Sequence, residues 1–275
     1  MNAFNFTTNN LFGLTDMFNT YEGTTIPFTI DVGYAFNGIQ KIFQNCQNLI
    51  TLPTINFHNM GMSANGQLNY MFEHCESLIT VPDGYFSTYD FTGNHNSTGV
   101  MAQNMFNYCK KLTHIDSGLL PNLYSSRNSA NAWQNLFCNC ESLPEILNLG
   151  IFHPTATVTN NMFRATFGNC YSLSRLTFAA NGATRNYSHQ GIDLSTYVGF
   201  SPAGSVADSV YNHASAVETI NSLPDCSAVS PPSNPTNMIQ FKAGAGANTA
   251  GGSISDLTAA EIEVATNKGW QVVIQ

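Results

Sequence analysis

The apolar positions of the chain recur in one phrase, Phe-x-x-Cys-x-x-Leu, with a Leu, Val or Ile three residues further on. It reads Phe43/Cys46/Leu49/Leu52, Phe72/Cys75/Leu78/Val81, Phe106/Cys109/Leu112/Ile115, Phe137/Cys140/Leu143/Ile146 and Phe167/Cys170/Leu173/Leu176. A worn sixth copy fits Tyr211/Ala214/Val217/Ile220. The five Cys in register are 29, 34, 31 and 30 residues apart. A fixed period of this size marks an array of stacked units.

The residues upstream of each Phe extend the pattern. Ile39, Leu68, Ala102, Trp133 and Phe163 lie four before it, and Ile42, Met71, Met105, Leu136 and Thr166 one before. Positions −4, −1, 0 and +3 share one face of a helix. The spacing therefore predicts a short helix ending near each Cys. The Leu-x-x-Leu part is short and rich in β-branched residues, and Pro53, Pro82 and Pro144 discourage helix there. It predicts a short strand, followed by a loop of variable length. Such a unit cannot bury its own apolar face. Stacking neighbours would align the strands in parallel at about 4.8 Å and turn the Phe, Cys and Leu positions into internal columns.

The ends read differently. In residues 1–34, Leu14, Met17, Phe18 and Tyr21 echo the same face, so this stretch is either a degenerate cap or an irregular arm. Residues 225–255 carry Pro-Pro, Asn-Pro and Gly-Gly and read mostly as loop, with a possible strand at 238–241. Thr258-Ala-Ala-Glu261 makes a capping box, Lys268-Gly269 a helix stop, and Trp270–Ile274 a final strand. The organisation expected is an N-terminal arm or cap over 1–34, a solenoid over 35–225, and a loop with a helix-strand cap over 226–275.

Composition narrows the function. Hydrophobic residues are 43% and aromatics 12%, ample for a core, but charged residues are only 9%. Their place is taken by neutral polar residues, including 33 Asn. With 9 Lys+Arg against 17 Asp+Glu and a net charge of −8, nucleic acid is not an expected partner. No stretch approaches the ~20 apolar residues of a spanning helix, so membrane insertion is not expected either. The first ten residues lack the basic and apolar regions of a secretory signal. The expectation is that the protein is not exported by that route, or that a leader has been removed.

The seven Cys include five in register plus Cys138 and Cys226. Three readings compete: a column of buried reduced thiols, disulfides between units, or a metal site. Buried thiols fit best, since free Cys is among the most buried residue types. An odd count with one equivalent position per unit argues against a disulfide framework, and Cys138-x-Cys140 lacks zinc spacing. No metal and no cofactor are expected. The His residues are scattered, and Gly204-Ser205 lacks the nucleophile-elbow pattern. Glu76 and Glu141 occupy the same place in two units, and a solvated end explains them more simply than a carboxylate pair. No catalytic residue is assigned.

The wording Met71-Phe72-Glu73-His74-Cys75-Glu76-Ser77-Leu78-Ile79-Thr80-Val81-Pro82 resembles the BspA-like class of leucine-rich repeats. Such repeats occur in surface proteins of gut bacteria, and similar ones occur in proteins of their phages. The resemblance spans about residues 35–225. It implies an α/β leucine-rich-repeat solenoid of about six helix-strand units, with Phe43, Cys46, Leu49, Phe72, Cys75, Leu78, Phe106, Cys109, Leu112, Phe137, Cys140, Leu143, Phe167, Cys170 and Leu173 as its core. Here the units are longer than is usual for the class, which enlarges the loops between them.

Function is then expected at the surface. The loops at 57–67, 85–100, 119–131, 148–161 and 178–205 carry Tyr85, Tyr89, Phe91, His95, Tyr124, Tyr187, His189 and Tyr197. Aromatic faces among Asn, Ser and Thr suit sugar or protein surfaces; alternatively these rings fold back on the core or pack against identical subunits. The resemblance implies a non-enzymatic display module. One form is a bacteriophage virion protein, a fibre or decoration component on the virion surface that attaches to a host glycan or protein, docks on other virion proteins through its N-terminal region, and forms homo-oligomers. The other forms are a bacterial cell-surface adhesin and an intracellular scaffold.

Overall fold

The computed structural model describes residues 4–6, 16–27, 29–32, 40–57, 68–89, 102–122, 133–150, 165–179, 192–227 and 237–275. Over these residues the protein is mixed α/β, with few helices, small parallel sheets and no closed barrel. Strands β1 (Phe4–Phe6), β2 (Ile30–Val32) and β3 (Ile55–Phe57) form one parallel sheet, pairing Phe4 with Ile30 and Ile30 with Ile55. Strands β4 (Glu145–Leu149) and β5 (Arg175–Phe178) form a second. Strands β6 (Ile192–Leu194), β7 (Asn237–Phe241) and β8 (Trp270–Ile274) form a third, in that order. Helices α1 (His213–Ser222) and α2 (Ala259–Asn267) belong to this last region.

The helix expected before each Cys does not form. In its place run consecutive turns, closed by Gln44 N–H to Lys41 O (3.0 Å) and Cys46 N–H to Phe43 O (3.2 Å). The cause lies in the backbone. Lys41, Asn45, Tyr70, His74, Asn104, Tyr108, Asn135, Asn139, Ala165 and Asn169 all have positive φ, between 51° and 63°. They sit two residues before and two after each Phe, and a right-handed helix cannot pass through them. Asn, which tolerates this conformation best after Gly, fills half of these places. N–H groups at alternate positions then bond outward, as Phe43 N–H does to Met71 O (3.1 Å) and Asn45 N–H to Glu73 O (2.8 Å). Turn closure every three residues still turns positions −1, 0 and +3 inward, which is why the spacing imitated a helix.

The strands after the Leu form only in part. Glu145–Leu149 and Arg175–Phe178 are strands, whereas Thr25 with Thr51 and Thr80 with His114 make isolated parallel bridges.

All fifteen residues expected in the core are buried. Phe43, Phe72, Phe106, Phe137 and Phe167 stack in sequence, with ring centroids 5.7, 5.5, 5.8 and 6.0 Å apart and planes within 18°. Phe18 lies on the same column, 5.7 Å from Phe43, flanked by positive φ at Asp16 and Thr20. Residues 16–20 thus take the conformation of the later copies, and β1 and β2 join β3. Of the upstream face, Leu14, Ile39 and Phe163 lie outside the described residues.

The worn sixth copy is a correction. Tyr211–Ile220 is not a further turn-and-strand unit but the cap and body of α1. Asn212 accepts from the Ser215 N–H and the Ser215 hydroxyl returns a bond to the Asn212 N–H, a full capping box. Tyr211 and Ile220 are buried, but Ala214 is exposed. The fifth copy is followed instead by residues 195–200, where Asn169 N–H donates to Thr196 O (3.3 Å) and Gly199 N–H to Cys170 O (2.8 Å). Helix α1 packs on β5, with the Thr219 hydroxyl donating to Leu176 O (2.7 Å). The strand expected at 238–241, the capping box at Thr258/Glu261, the stop at Gly269 (φ 80°) and the strand 270–274 are all present. Strand β6, before residue 225, pairs with β7 beyond it.

Candidate functional site

The thiols come first, because they are the strongest nucleophiles the chain owns. Cys46, Cys75, Cys109, Cys140 and Cys170 are buried and free. Each Sγ donates to the carbonyl of the preceding Phe on the column: Cys46 to Phe18 (2.9 Å), then Cys75 to Phe43, Cys109 to Phe72, Cys140 to Phe106 and Cys170 to Phe137, each 3.1 Å. Burial pushes Cys75, Cys109, Cys140 and Cys170 well above the ordinary thiol range. Cys46, beside the Cys75 thiol, is held lower. Burial also pushes Cys226 up, to about 12. Burial and a raised pKa make Cys75, Cys109, Cys140 and Cys170 weak nucleophiles. Among the described residues no group of three or more His, Cys, Asp and Glu is placed to hold a metal ion, and no helix is long and apolar enough to cross a membrane.

Of the surface aromatics expected to bind, two come together. Tyr85 and Tyr89 both lie on the turn segment 82–89, but they fold inward. Tyr89 is buried, edge-on to Phe57 at 5.4 Å. Tyr85 is half-buried, 5.2 Å from Phe86 and 6.4 Å from Phe57, and its buried hydroxyl has no hydrogen-bond partner among the described residues. Burial raises its pKa. Tyr197 stands apart, 39% exposed and edge-on to Phe200 at 5.6 Å. Phe91, His95, Tyr124, Tyr187 and His189 lie outside the described residues.

The same segment borders two hollows. One, of about 370 Å³, lies between Gly84–Tyr89 and Asp116–Gly118; the other, of about 270 Å³, lies between residues 52–56 and 82–88. Asp116 builds the first. Its buried carboxylate accepts from the N–H groups of Gly84 (3.1 Å), Phe86 (2.9 Å) and Gly118 (2.8 Å). Gly84 has φ 77° and open space where a side chain would sit, so it floors the hollow. Across it, Asp83 accepts from Ser117 N–H (2.8 Å) and lies 3.2 Å from His114 Nε2. The Ser117 N–H, then the His114 ring, hold the Asp83 carboxyl below its ordinary range. Asp116 was missed in the sequence, although Asp116-Ser117-Gly118 has the composition of a turn.

A second polar surface runs beside the Phe column. Asn169 donates to Asn139 (2.8 Å), Asn139 to Asn107 (3.2 Å), and Asn107 and Gln44 to Glu73 (3.3 and 2.5 Å). The His74 and Tyr108 rings stack at 4.4 Å, and Lys110 bonds Glu76 at 2.8 Å. Lys110 is the main reason the Glu76 carboxyl lies low. These groups satisfy one another, so the ladder is structural glue.

Comparison of the chain with protein-family models, with curated proteins and with solved structures returned no match.

Proposed function

We propose that the chain is a leucine-rich-repeat solenoid of the BspA-like type that works as a non-enzymatic display module, most simply a fibre or decoration protein on a bacteriophage virion that attaches to the host surface. One observation carries this reading. The five in-register thiols are occupied inside, each donating to a Phe carbonyl, and Asp116 is held by three backbone N–H groups. These five thiols and Asp116 are thus used to hold the chain together. The chain is poor in charge, at 9%, and hydroxyl and amide side chains such as Ser87, Ser117, Thr54 and Asn56 border the described hollows, which suits recognition of a glycan or protein. The BspA-like wording of residues 71–82 suits a bacterial cell-surface adhesin as well, and that is the second reading. Under the virion reading the N-terminal region meets other virion proteins, and the display form is a homo-oligomer.

The test is binding to intact bacterial cells by the labelled protein, with cell-surface polysaccharide assayed in parallel for cleavage. Saturable retention without soluble product is expected, weakened by Ser87→Trp, which fills the hollow over Gly84. Release of product overturns the non-enzymatic reading. Absence of retention on every cell type overturns the attachment reading.

A further inference from the structure

Strand β8 is an outer strand of the third sheet and pairs with β7 alone among the described residues. Just past it, Gln275 N–H donates to Phe241 O (3.0 Å) and Gln275 O accepts from Ala243 N–H (2.8 Å). In a parallel ladder alternate residues turn both backbone groups to the same neighbour. Gln271, Val273 and Gln275 therefore face β7, and the N–H and C=O groups of Val272 and Ile274 point away from it. No described residue takes those groups up.

Other strands of the chain close such groups with hydroxyls. On β3, Phe57 N–H donates to the Thr88 hydroxyl (2.8 Å). On β5, Phe178 N–H donates to the Ser222 hydroxyl (3.1 Å), and Leu176 O accepts from the Thr219 hydroxyl (2.7 Å). Strand β6, at the far side of the third sheet, carries Asp193. Strand β8 has no charge, no Pro and no Gly, and its register with β7 runs without a bulge. It lacks the devices that stop an edge from pairing. Gln271 and Gln275 are exposed, and Val272, Val273 and Ile274 are half-buried.

The segment is also complementary to itself. In an antiparallel pair about a twofold axis at Val273, Val272 lies opposite Ile274 of a second copy, and Gln271 opposite Gln275. The free backbone groups of Val272 then meet those of Ile274, as the hydrogen-bonded positions of such a ladder require. Val273 meets itself at the position between. A Gln amide both donates and accepts. Gln275 Nε2 is engaged with Gln240 Oε1 (2.8 Å) and Ser195 Oγ (3.1 Å), which leaves its Oε1 for the Gln271 amide opposite. No like charges oppose each other along the pair. Lys268, before β8, donates to Asn221 O (2.6 Å), while Lys242, after β7, and Asp193, on β6, lie behind β8.

We propose that β8 pairs antiparallel with β8 of a second copy about a twofold axis at Val273, joining two three-stranded sheets into one. The pairing gives the homo-oligomer of the attachment reading an interface, but it stands on the open edge and not on that reading. Strand β8 brings five residues, where a stable interface uses about 20–30 a side. A weak, reversible dimer is therefore expected, with monomer at about 1 μM and dimer growing above about 100 μM.

Sedimentation equilibrium of the full chain across that range tests it. Val273→Lys sets two ammonium groups against each other on the axis and should weaken the dimer about fivefold, with an unchanged melting temperature. Val272→Pro, which removes an edge donor from each copy, should leave monomer. Val273→Cys places two thiols on the axis, at the Cα spacing of about 4.5 Å that a disulfide can span. Under oxidised glutathione it should cross-link into a dimer beyond the level of the unaltered chain. Gln271→Cys should not, because its counterpart lies about 13 Å away along the strands. Monomer at every concentration, or growth past the dimer, overturns the pairing. A dimer indifferent to both Val273→Lys and Val272→Pro also overturns it and leaves a homo-oligomer built on another surface. Equal cross-linking of the two Cys variants overturns the register.

Discussion

The region from Lys41 to Phe178 and the region from Ile192 to Gln275 solve the same problem in different ways. Both must turn apolar residues inward and satisfy the backbone between short parallel strands. The first uses turns with left-handed residues and, as at Lys41, Phe43 and Asn45, sends alternate N–H groups of the turn to the next copy. The second uses two α-helices, each opened by a capping box and preceded by a short 3-10 turn with a Ser cap. The bonds of the helices are local. The turns close locally too, but their other N–H groups reach residues about thirty away, as in Asn139 N–H to Gly168 O (2.9 Å). The described turns therefore depend on residues about thirty further on for part of their hydrogen bonding, while the two helices close most of theirs within themselves.

The largest effect is expected from breaking the ring column. Phe106 sits between Phe72 and Phe137 and is fully buried. Phe106→Ala should cost about 3–5 kcal/mol, the usual result of a large-to-small change in a packed core. The chain has two Trp, Trp133 in the turn-built region and Trp270 on β8, so the Trp270→Phe and Trp133→Phe backgrounds give each region its own fluorescence reporter. If the comparison holds, denaturant midpoints in the Phe106→Ala variant fall further at Trp133 than at Trp270. Equal falls would show one cooperative unit.

Next in size is Asp116. Asp116→Ala strands three N–H donors, on Gly84, Phe86 and Gly118. A loss of about 3 kcal/mol is expected, because hydrogen bonds to a buried charge are strong and orphaned donors are costly. Asp116→Asn keeps one acceptor oxygen and should lose less. If Asp116 served a ligand rather than the turn, urea denaturation would barely register either change.

These sites differ in how much the chain announced them. The Phe, Cys and Leu columns were legible because burial selects the same residue types at a fixed period, and every expected member is inside. The capping box at Thr258/Glu261 was legible because its bonds close within four residues. The helix before each Cys was misread because turns closing every three residues and a helix of 3.6 residues per turn place almost the same positions inward. The deciding signal was the Asn at +2 in Asn45, Asn139 and Asn169, which marks left-handed backbone. The same local logic in Asn212-x-x-Ser215 pointed to α1, but the worn Phe-Cys-Leu frame hid it. Tyr85 and Tyr89 could not be placed from sequence, since whether a loop aromatic faces water depends on Phe57 and Phe86 from two copies at once.

A smaller effect isolates the turn conformation itself. Asn139 has φ 62° and holds the Asn ladder between Asn107 and Asn169. Asn139→Val should cost about 1–2 kcal/mol for a β-branched residue in left-handed geometry, plus the ladder bonds. Asn139→Gly relieves the backbone and loses only the bonds, so it should melt above the Val variant. The reverse order would mean that the backbone there is not left-handed.

The smallest expected effect separates the two regions by pH. Glu261 closes the box on α2, accepting from the Thr258 N–H (2.7 Å) with His213 Nε2 at 3.1 Å. The Thr258 N–H first, then His213 and the Thr258 hydroxyl, hold its carboxyl at about 2 against an ordinary 4.5. A carboxyl depressed on folding stabilises the folded state above its unfolded pKa and loses that contribution as pH falls through the folded value. The contribution is therefore full above pH 4.5 and lost progressively between 4.5 and about 2. It should be no more than about 1 kcal/mol, as for a helix cap, because the site is at the surface. Glu261→Gln keeps an acceptor that does not titrate, so it should flatten this part of the acid profile read at Trp270 by fluorescence and in the helical circular dichroism. The Trp133 profile should not change between the two proteins. If it changes as much as the Trp270 profile, α2 and the ring column melt together and the division of the molecule into two styles of construction has no energetic counterpart.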